Sequence, residues 1–276
     1  MGGDNKRKND GGSQKGGKKA KTDIHKVGKY LPGGFPIDPK MKGVMVTCVR
    51  GREVQASREA CDLLSEYAEK LYGAHFNDEV AADDEEESIE DAIKREVAQA
   101  KKPKGGKKFL PLMTGTDCVI FIRAMDIEPS KLCHFILTDM IESGNKRTRY
   151  CQRFIPVDET SYANMDDIET MSKRVLAPYF HAEDQKPTTF KVLPKIRHND
   201  KVERDALMKM LASQVGTSEK HVVKMVEPEY MILAEVIKSI CFLSVVKDYD
   251  LLKKYNIQSI FEASLKNSDE ASEKQE

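Results

Sequence analysis

Two almost wholly apolar runs near the end of the chain, Tyr230–Ile237 and Ile240–Val246, constrain its fold more than any other feature. Runs of this length, rich in Val and Ile and bounded by polar residues, predict buried strands. Only Lys238 and Ser239 separate them, and so short a break favours an antiparallel hairpin inside a core, although Lys-Ser is a weak turn signal. No metal cluster or phosphate-binding loop lies in this segment. It is therefore typical of a protein that binds and presents rather than catalyses.

The rest of the chain alternates predicted strands with predicted amphipathic helices, which indicates an α/β (α+β) fold. Strands are predicted at Gly43–Val49, Cys118–Ala124, Lys146–Val157, Thr188–Ile196 and His221–Val226. Helices are predicted at Arg52–Tyr72, Ser88–Lys102, Pro129–Glu142, Met165–Phe180 and from Lys201 to about Gln214.

The charges are segregated along the chain. Lysine plus arginine total 45 and aspartate plus glutamate total 45, yet Met1–Lys29 has nine basic residues against three acidic ones. We expect this tail to be disordered, because it has almost no large apolar side chain to bury. Its clusters Lys6–Lys8 and Lys18–Lys21 are interpreted as a nuclear localisation signal, an auxiliary nucleic-acid contact, both, or merely a solvated tail.

The block Asp78–Asp91 carries nine acidic residues and no basic one. Its carboxylates could bind Mg²⁺ or a basic partner, but acidic runs are usually solvated insertions. The six cysteines and six histidines show no CxxC, HxxxH or HExxH pattern, so we predict buried reduced thiols and no metal site. No window approaches the roughly twenty apolar residues of a membrane span. We therefore expect neither a secreted nor a membrane-embedded protein.

The junction between the strand Thr188–Ile196 and the next helix is the best functional candidate. A helix start presents free N–H groups and a positive dipole end to an anion. Lys195, Arg197, His198 and Asn199 would surround it with donors, while Asp200 caps the helix and Glu203 takes the place of a capping-box acid. A phosphate is the natural occupant. The alternative is that these residues are ordinary surface cations at a strand end.

Two arginines could extend this patch. Side chains alternate along a strand, so Arg149 and Arg153 fall on one face of the predicted strand Lys146–Val157. Several phosphates of one backbone could then be contacted, and a folded RNA becomes a plausible ligand. No aromatic-studded single-strand motif is present.

Several segments together resemble one known family. In chain order they read KGVMVTC, LLSEYAEKLYG, CVIFIRAMDIEPSKL, RFIPV, FKVLPKIRHN and ICFLSVVKDYDLLKKYNI. They resemble the THUMP-domain adaptor of eukaryotic tRNA acetyltransferase, and the likeness covers nearly all of Lys42–Ile260. The chain departs from many THUMP proteins near its end, where ICFLSVV replaces a glycine-rich turn.

The resemblance implies a domain order and a function. It implies a disordered basic tail over residues 1–41, a ferredoxin-like domain over 42–145 with an acidic insertion at 77–107, a THUMP domain over 146–255 and a C-terminal tail over 256–276. It implies that Arg153, Lys195, Arg197 and Asn199 contact RNA at the acceptor end of tRNA.

By the same resemblance the chain is an adaptor and not the enzyme. We also expect a monomer without cofactor, located in the nucleus and nucleolus. It would present serine and leucine tRNAs to a separate tRNA/rRNA cytidine acetyltransferase, which forms N(4)-acetylcytidine in the D-arm. Two alternatives remain open. The chain could be a scaffold in ribosome biogenesis without RNA contact, or an enzyme with a hidden acetyl-CoA site, although no glycine-rich pyrophosphate loop follows a strand.

Overall fold

The computed structural model describes residues 37–73, 108–184, 186–216 and 221–264, which form two β-sheets with flanking helices. Nine strands lie in these ranges: β1 Gly43–Cys48, β2 Phe109–Met113, β3 Val119–Ala124, β4 Cys151–Val157, β5 Glu159–Tyr162, β6 Thr188–Arg197, β7 His221–Val223, β8 Tyr230–Ile237 and β9 Ile240–Lys247. The helices are α1 Glu53–Tyr72, α2 Pro129–Ser143, α3 Met165–Phe180 and α4 Arg204–Val215. A single 3₁₀ turn spans Lys253–Tyr255, and residues 257–264 are helical.

Three predictions fall on other parts of the chain. The basic clusters of the N-terminal tail, the acidic insertion with its predicted helix Ser88–Lys102, and the last part of the C-terminal tail lie outside the described residues. Among the described residues, no helix is long and apolar enough to cross a membrane.

The first sheet has the strand order β2-β3-β1-β4, and every neighbouring pair is antiparallel. With α1 after β1 and α2 after β3, the order β-α-β-β-α-β is that of a ferredoxin-like fold, which confirms the predicted fold class. The sequence analysis does not predict β2. Its segment FLPLM is short and contains Pro111, a residue that sheets tolerate only at their edges, and β2 is an edge strand.

Strand β4 pairs with β1 and so belongs to the first sheet, with Ile155 opposite Met45. The sequence analysis places this strand in the second domain, and that assignment is corrected. The strand also begins at Cys151 rather than at Lys146. The preceding basic segment is irregular and ends in a bend at 149–150, where the Glu59 carboxylate accepts the backbone N–H groups of Tyr150 and Cys151.

The second sheet has the order β5-β9-β8-β6-β7. Strands β8 and β9 form the predicted antiparallel hairpin, with Ile237 opposite Ile240. Lys238 adopts a φ of 54° in the two-residue turn, a left-handed conformation that matches the twist of a tight hairpin. Strand β6 lies parallel to β8 and to the three-residue β7, which is shorter than the predicted strand His221–Val226.

The β8–β9 hairpin is buried on both faces, and its alternating side chains enter two different cores. Ile232, Ala234 and Val236 pack with the apolar faces of α3 and α4. Met231 and Leu233 point the other way and join the core of the first sheet. On that side Phe242 of β9 meets Phe121 of β3 edge to face, with ring centroids 5.4 Å apart.

Asp158 fastens the two sheets together where β4 leads into β5. Its Oδ1 accepts the hydroxyl of Ser130 on α2 at 2.8 Å, and its Oδ2 accepts the N–H of Val245 on β9 at 3.0 Å. Burial raises the pKa of Asp158 to about 6, although both hydrogen bonds favour the ionised carboxylate. The charge of this side chain at the junction between the sheets therefore depends on pH near 6.

This pKa predicts how stability depends on pH. The folded-state pKa of Asp158, about 6, exceeds the ordinary value of 3.8. Between pH 3.8 and about pH 6, Asp158 is therefore protonated in the folded chain and ionised in the unfolded chain. The contribution of Asp158 is therefore most favourable below about pH 4 and is lost as the pH rises through about 6, by at most about 3 kcal/mol. Urea denaturation of Asp158→Asn and of the parent chain across this window measures it. The stability difference between the two should change with pH, and a constant difference would contradict the assignment.

Candidate nucleic-acid interface

A cleft of about 410 Å³ opens where the two sheets separate. Thr47 on β1 lies opposite Arg153 on β4. Because side chains alternate between the two faces along a strand, both lie on the sheet face that carries Met45 and Ile155. Arg197 enters from the end of β6. The cleft is lined by Thr47, Asp117, Cys118, Val119, Gln152, Arg153, Arg197, Asn256 and Gln258.

Arg153 is positioned by backbone pairing on both sides. It lies opposite Thr47 on β1, and its outer edge forms an isolated antiparallel bridge with Asn256. The Arg153 side chain is half-buried. Burial raises the pKa of the nearby Tyr249 hydroxyl, and the positive charge of Arg153 partly offsets this rise. Arg153 therefore reaches the cleft from a fixed backbone.

Arg197 and Lys195 both lie beside a buried carboxylate. Glu235 of β8 is 4% exposed and lies in register with Lys195 of β6. The Lys195 ammonium donates to Glu235 Oε1 at 2.8 Å, whereas the Arg197 guanidinium is 3.9 Å from Oε2. That second oxygen has no hydrogen-bond partner among the described residues. Lys195 is thus held by the carboxylate, while Arg197 is only loosely associated with it.

This geometry separates two residues that the sequence analysis treats alike. A carboxylate removed from water needs a close counter-charge, and Lys195 supplies it from the next strand. Lys195 therefore neutralises the buried Glu235 carboxylate, while 29% of its side chain remains exposed. Arg197 lies at the mouth of the cleft and lacks a close hydrogen bond to Glu235, so its donors can turn to a ligand.

The predicted helix start beyond β6 is displaced. Helix α4 begins at Arg204, its N-cap is Glu203 without a side-chain capping bond, and Asp200 precedes it without capping it. The side-chain oxygen of Asn199 accepts the N–H groups of Lys201 and Val202, both at 2.9 Å, so these groups are already satisfied. The helix start therefore lies three residues beyond the predicted one, and Asn199 occupies the N–H groups of Lys201 and Val202, which follow β6.

Asn199 and His198 shape the end of β6. The Asn199 amide donates to the carbonyl of Lys238 in the β8–β9 turn at 2.6 Å, which ties β6 to the hairpin. His198 is exposed and has a φ of 53°, a left-handed conformation uncommon for residues other than glycine. The chain turns sharply here, immediately after Arg197 has been placed in the cleft.

Arg149 lies before β4 and not on it, so the prediction that Arg149 and Arg153 share a strand face is wrong. Its guanidinium lies over the ring of Tyr150 at 5.3 Å, and that of Arg52 lies over the same ring at 5.8 Å. This aromatic contact orders two exposed cations in the turn that leads into β4.

Neither the uncharged lining of the cleft nor its buried acid is predicted from the sequence. Thr47, Gln152, Asn256 and Gln258 come from segments far apart in the chain, and no local pattern connects them. Glu235 had a signal, since it is the one charged residue in the apolar run Tyr230–Ile237. A buried acid in a central strand requires a cation on a neighbouring strand.

The arrangement suits a phosphodiester with an adjoining base or ribose. Two guanidiniums can donate paired hydrogen bonds to phosphate oxygens. Carboxamide side chains both donate and accept, as base edges and the 2′-hydroxyl require. The described residues contain no group of three or more His, Cys, Asp or Glu that could hold a metal ion.

Comparison with known proteins agrees with this architecture. The family model of the THUMP domain matches residues 162–246. THUMP domain-containing protein 1 of Homo sapiens is 34% identical over 260 residues, which cover 91% of this chain and 72% of that protein. The chain belongs to the THUMP domain-containing protein 1 family.

Two further proteins are similar to this chain. The protein of Saccharomyces cerevisiae named tRNA acetyltransferase TAN1 is 29% identical over 283 residues, covering 94% of this chain and 97% of that protein. A solution structure of the THUMP domain of THUMP domain-containing protein 1 is 34% identical and covers 30% of this chain and 83% of that domain, with a TM-score of 0.27. The domain model starts only at residue 162, so Arg149 and Arg153 precede the matched THUMP region, whereas Lys195 and Arg197 lie within it.

The Lys195–Glu235 pair predicts a coupled effect on stability. Lys195→Met leaves the Glu235 carboxylate without its hydrogen-bonded cation and should destabilise the fold by about 1–3 kcal/mol in urea denaturation. Adding Glu235→Gln to that variant removes the unpaired charge and should recover much of the loss. If the two substitutions were additive in a double-mutant cycle, Lys195 would not be the structural partner of Glu235.

Proposed function

We propose that this chain is a tRNA-binding adaptor that presents serine and leucine tRNAs to a separate acetyltransferase, which forms N(4)-acetylcytidine in their D-arms. The observation that carries the proposal is the cleft in which Arg153 of the first sheet and Arg197 of the second come together. The two arginines hold an RNA phosphate, and the neighbouring carboxamides contact the adjoining nucleotide. Because each sheet contributes one arginine, tRNA binding depends on the arrangement of both sheets.

Membership of the THUMP domain-containing protein 1 family and the match of the THUMP model support RNA as the ligand. The name of the yeast relative, tRNA acetyltransferase TAN1, supports acetylation of tRNA as the process served. Binding at the acceptor end fixes one end of the tRNA. The rigid shape of the tRNA then determines where its D-arm lies. The partner acetyltransferase supplies the chemistry.

Four of the six cysteines are unsuited to act as nucleophiles in acyl transfer. All six are free thiols, and four of them are buried. Burial raises the pKa of Cys48 and of Cys241 to about 12 and raises the pKa of Cys133 and Cys151 further. These four thiols are protonated at neutral pH and are therefore poor nucleophiles.

The proposal also includes an oligomeric state and a cellular location. The adaptor acts as a monomer, and its basic clusters Lys6–Lys8 and Lys18–Lys21 direct it to the nucleus and the nucleolus. The alternative is a scaffold in ribosome biogenesis that does not contact tRNA. The two functions differ in whether the cleft cations determine RNA affinity.

Replacing both cleft arginines tests the site. Arg153→Ala/Arg197→Ala should weaken tRNA binding by about fivefold for each lost phosphate contact near 0.15 M salt. The reason is that each phosphate contact on a duplex multiplies the binding constant by the molar salt concentration raised to a power of about −0.9. The slope of log K against log salt should become shallower by up to about 1.8. Fluorescence anisotropy with labelled tRNA over a salt series measures both quantities.

Lys209→Ala is the matched control, because Lys209 is exposed on α4, the helix layer on the opposite side of the second sheet from the cleft. It should leave the salt slope unchanged. Equal slopes for the parent chain and the double arginine variant would reject the cleft as the RNA site. A parent chain that binds no tRNA even at low salt would reject the adaptor function itself.

Acetylation separates the adaptor from the enzyme and from the scaffold. Purified chain with acetyl-CoA and serine or leucine tRNA should form no N(4)-acetylcytidine, whereas the addition of a cytidine acetyltransferase should produce it, as measured by nucleoside mass spectrometry. A tRNA for another amino acid serves as the substrate control. Acetylation by the chain alone would make it an enzyme, and acetylation of the two tRNAs that is independent of the chain would leave only the scaffold.

A further inference from the structure

The 3₁₀ turn Lys253–Tyr255 has an unusual backbone. Lys253, Lys254 and Tyr255 have φ values of 50°, 59° and 58°, so three successive residues adopt the left-handed conformation. Side chains other than glycine rarely adopt it, because Cβ approaches the following carbonyl oxygen, and it seldom extends beyond a single residue. Such strain persists only where the surroundings hold it in place, and strained segments are concentrated at functional sites.

Buried residues on both sides hold this turn. Leu252 and Tyr255 are each 1% exposed. The Tyr255 ring stacks on Tyr249 with centroids 6.1 Å apart, and its hydroxyl donates to the carbonyl of Lys247 at 3.1 Å. The N–H of Lys254 donates to the carbonyl of Tyr249 at 2.7 Å, which closes the loop. The turn is therefore fixed in shape, although its two lysines are exposed.

The turn lies beside the cleft. Asn256 follows it directly, lines the cleft and forms the backbone bridge to Arg153. Two residues of chain span at most about 7 Å, so the backbone of Lys254 is no farther than this from that of Asn256. Lys253 and Lys254 form no ion pair with any described residue, whereas Lys195 is occupied by Glu235.

We propose that Lys253 and Lys254 form a second phosphate-binding site, which contacts the RNA backbone next to the nucleotide held in the cleft. This inference rests on the proposed tRNA-binding function and adds to it a site that lies beyond the matched THUMP region. The ligand is a run of phosphates and not one particular base, because an ammonium group is a point charge without the planar geometry that reads base edges.

A glycine substitution separates the role of the lysines from that of the turn. Glycine adopts the left-handed conformation without the Cβ clash, so Lys253→Gly/Lys254→Gly should keep the turn and leave the thermal midpoint unchanged or raise it. The same variant should bind tRNA about fivefold more weakly for each lost contact near 0.15 M salt, with a salt slope shallower by up to about 1.8. Lower affinity in a protein of equal or higher stability supports the second site, since a misfolded turn would lower both.

The controls assign each failure to one cause. Lys209→Ala should match the parent chain, and Lys253→Arg/Lys254→Arg, which keeps the charge, should retain the parent salt slope. If the glycine variant binds tRNA with the parent affinity and slope while Arg153→Ala/Arg197→Ala is weakened, the lysine site is rejected and the cleft stands. If neither double variant changes tRNA binding, the cleft assignment has failed as well.

Discussion

The burial of the β8–β9 hairpin on both faces is the constraint on which the rest of the structure depends. One face packs on α3 and α4, and the other joins the core of the first sheet, where Phe242 meets Phe121. A hairpin that is apolar on only one face could leave the two sheets free to move as separate domains. Here the separation of the sheets would expose Met231, Leu233 and Phe242 to water, at about 25 cal/mol for each Å² uncovered. The relative orientation of the sheets, and with it the width of the cleft, is therefore set by hydrophobic burial.

The cleft forms where this burial ends. Arg153 is two residues from Ile155 on the same face of β4 and continues its apolar row toward solvent, whereas Arg197 ends the row of β6 that also carries Leu193 and Lys195. The same arrangement requires Glu235 and Lys195 to pair between these rows. A lone acid inside the interface would be costly, but Lys195 compensates it, and Arg197, 3.9 Å from Glu235 Oε2, makes no close hydrogen bond to it. The charge pattern thus follows from the sheet geometry.

The sequence predicts the elements well because their signals are local. The hairpin followed from two apolar runs, and α3 followed from its helical spacing, while β2 was missed because five residues with a central proline carry almost no periodic signal. The assignment of β4 to the wrong sheet has another cause. Its sequence shows that it is a strand but not which neighbour it pairs with, and that choice is made by long-range pairing with β1. The site was predicted only in part for the same reason, since Arg153 and Arg197 are basic in any fold but become neighbours only through the packing of the two sheets.

The positive charges near the cleft differ in how strongly the fold itself requires them. Lys195 neutralises a carboxylate that is 4% exposed, so its charge is needed whether or not RNA is present. Arg149 and Arg52 lie over the ring of Tyr150 and are ordered by it. Lys253 and Lys254 meet no such requirement, yet they occupy backbone positions where glycine would be less strained. A cation that the fold does not need, held in a conformation that the backbone disfavours, calls for a partner outside the chain, and the RNA backbone that we propose beside Arg153 carries the matching charge.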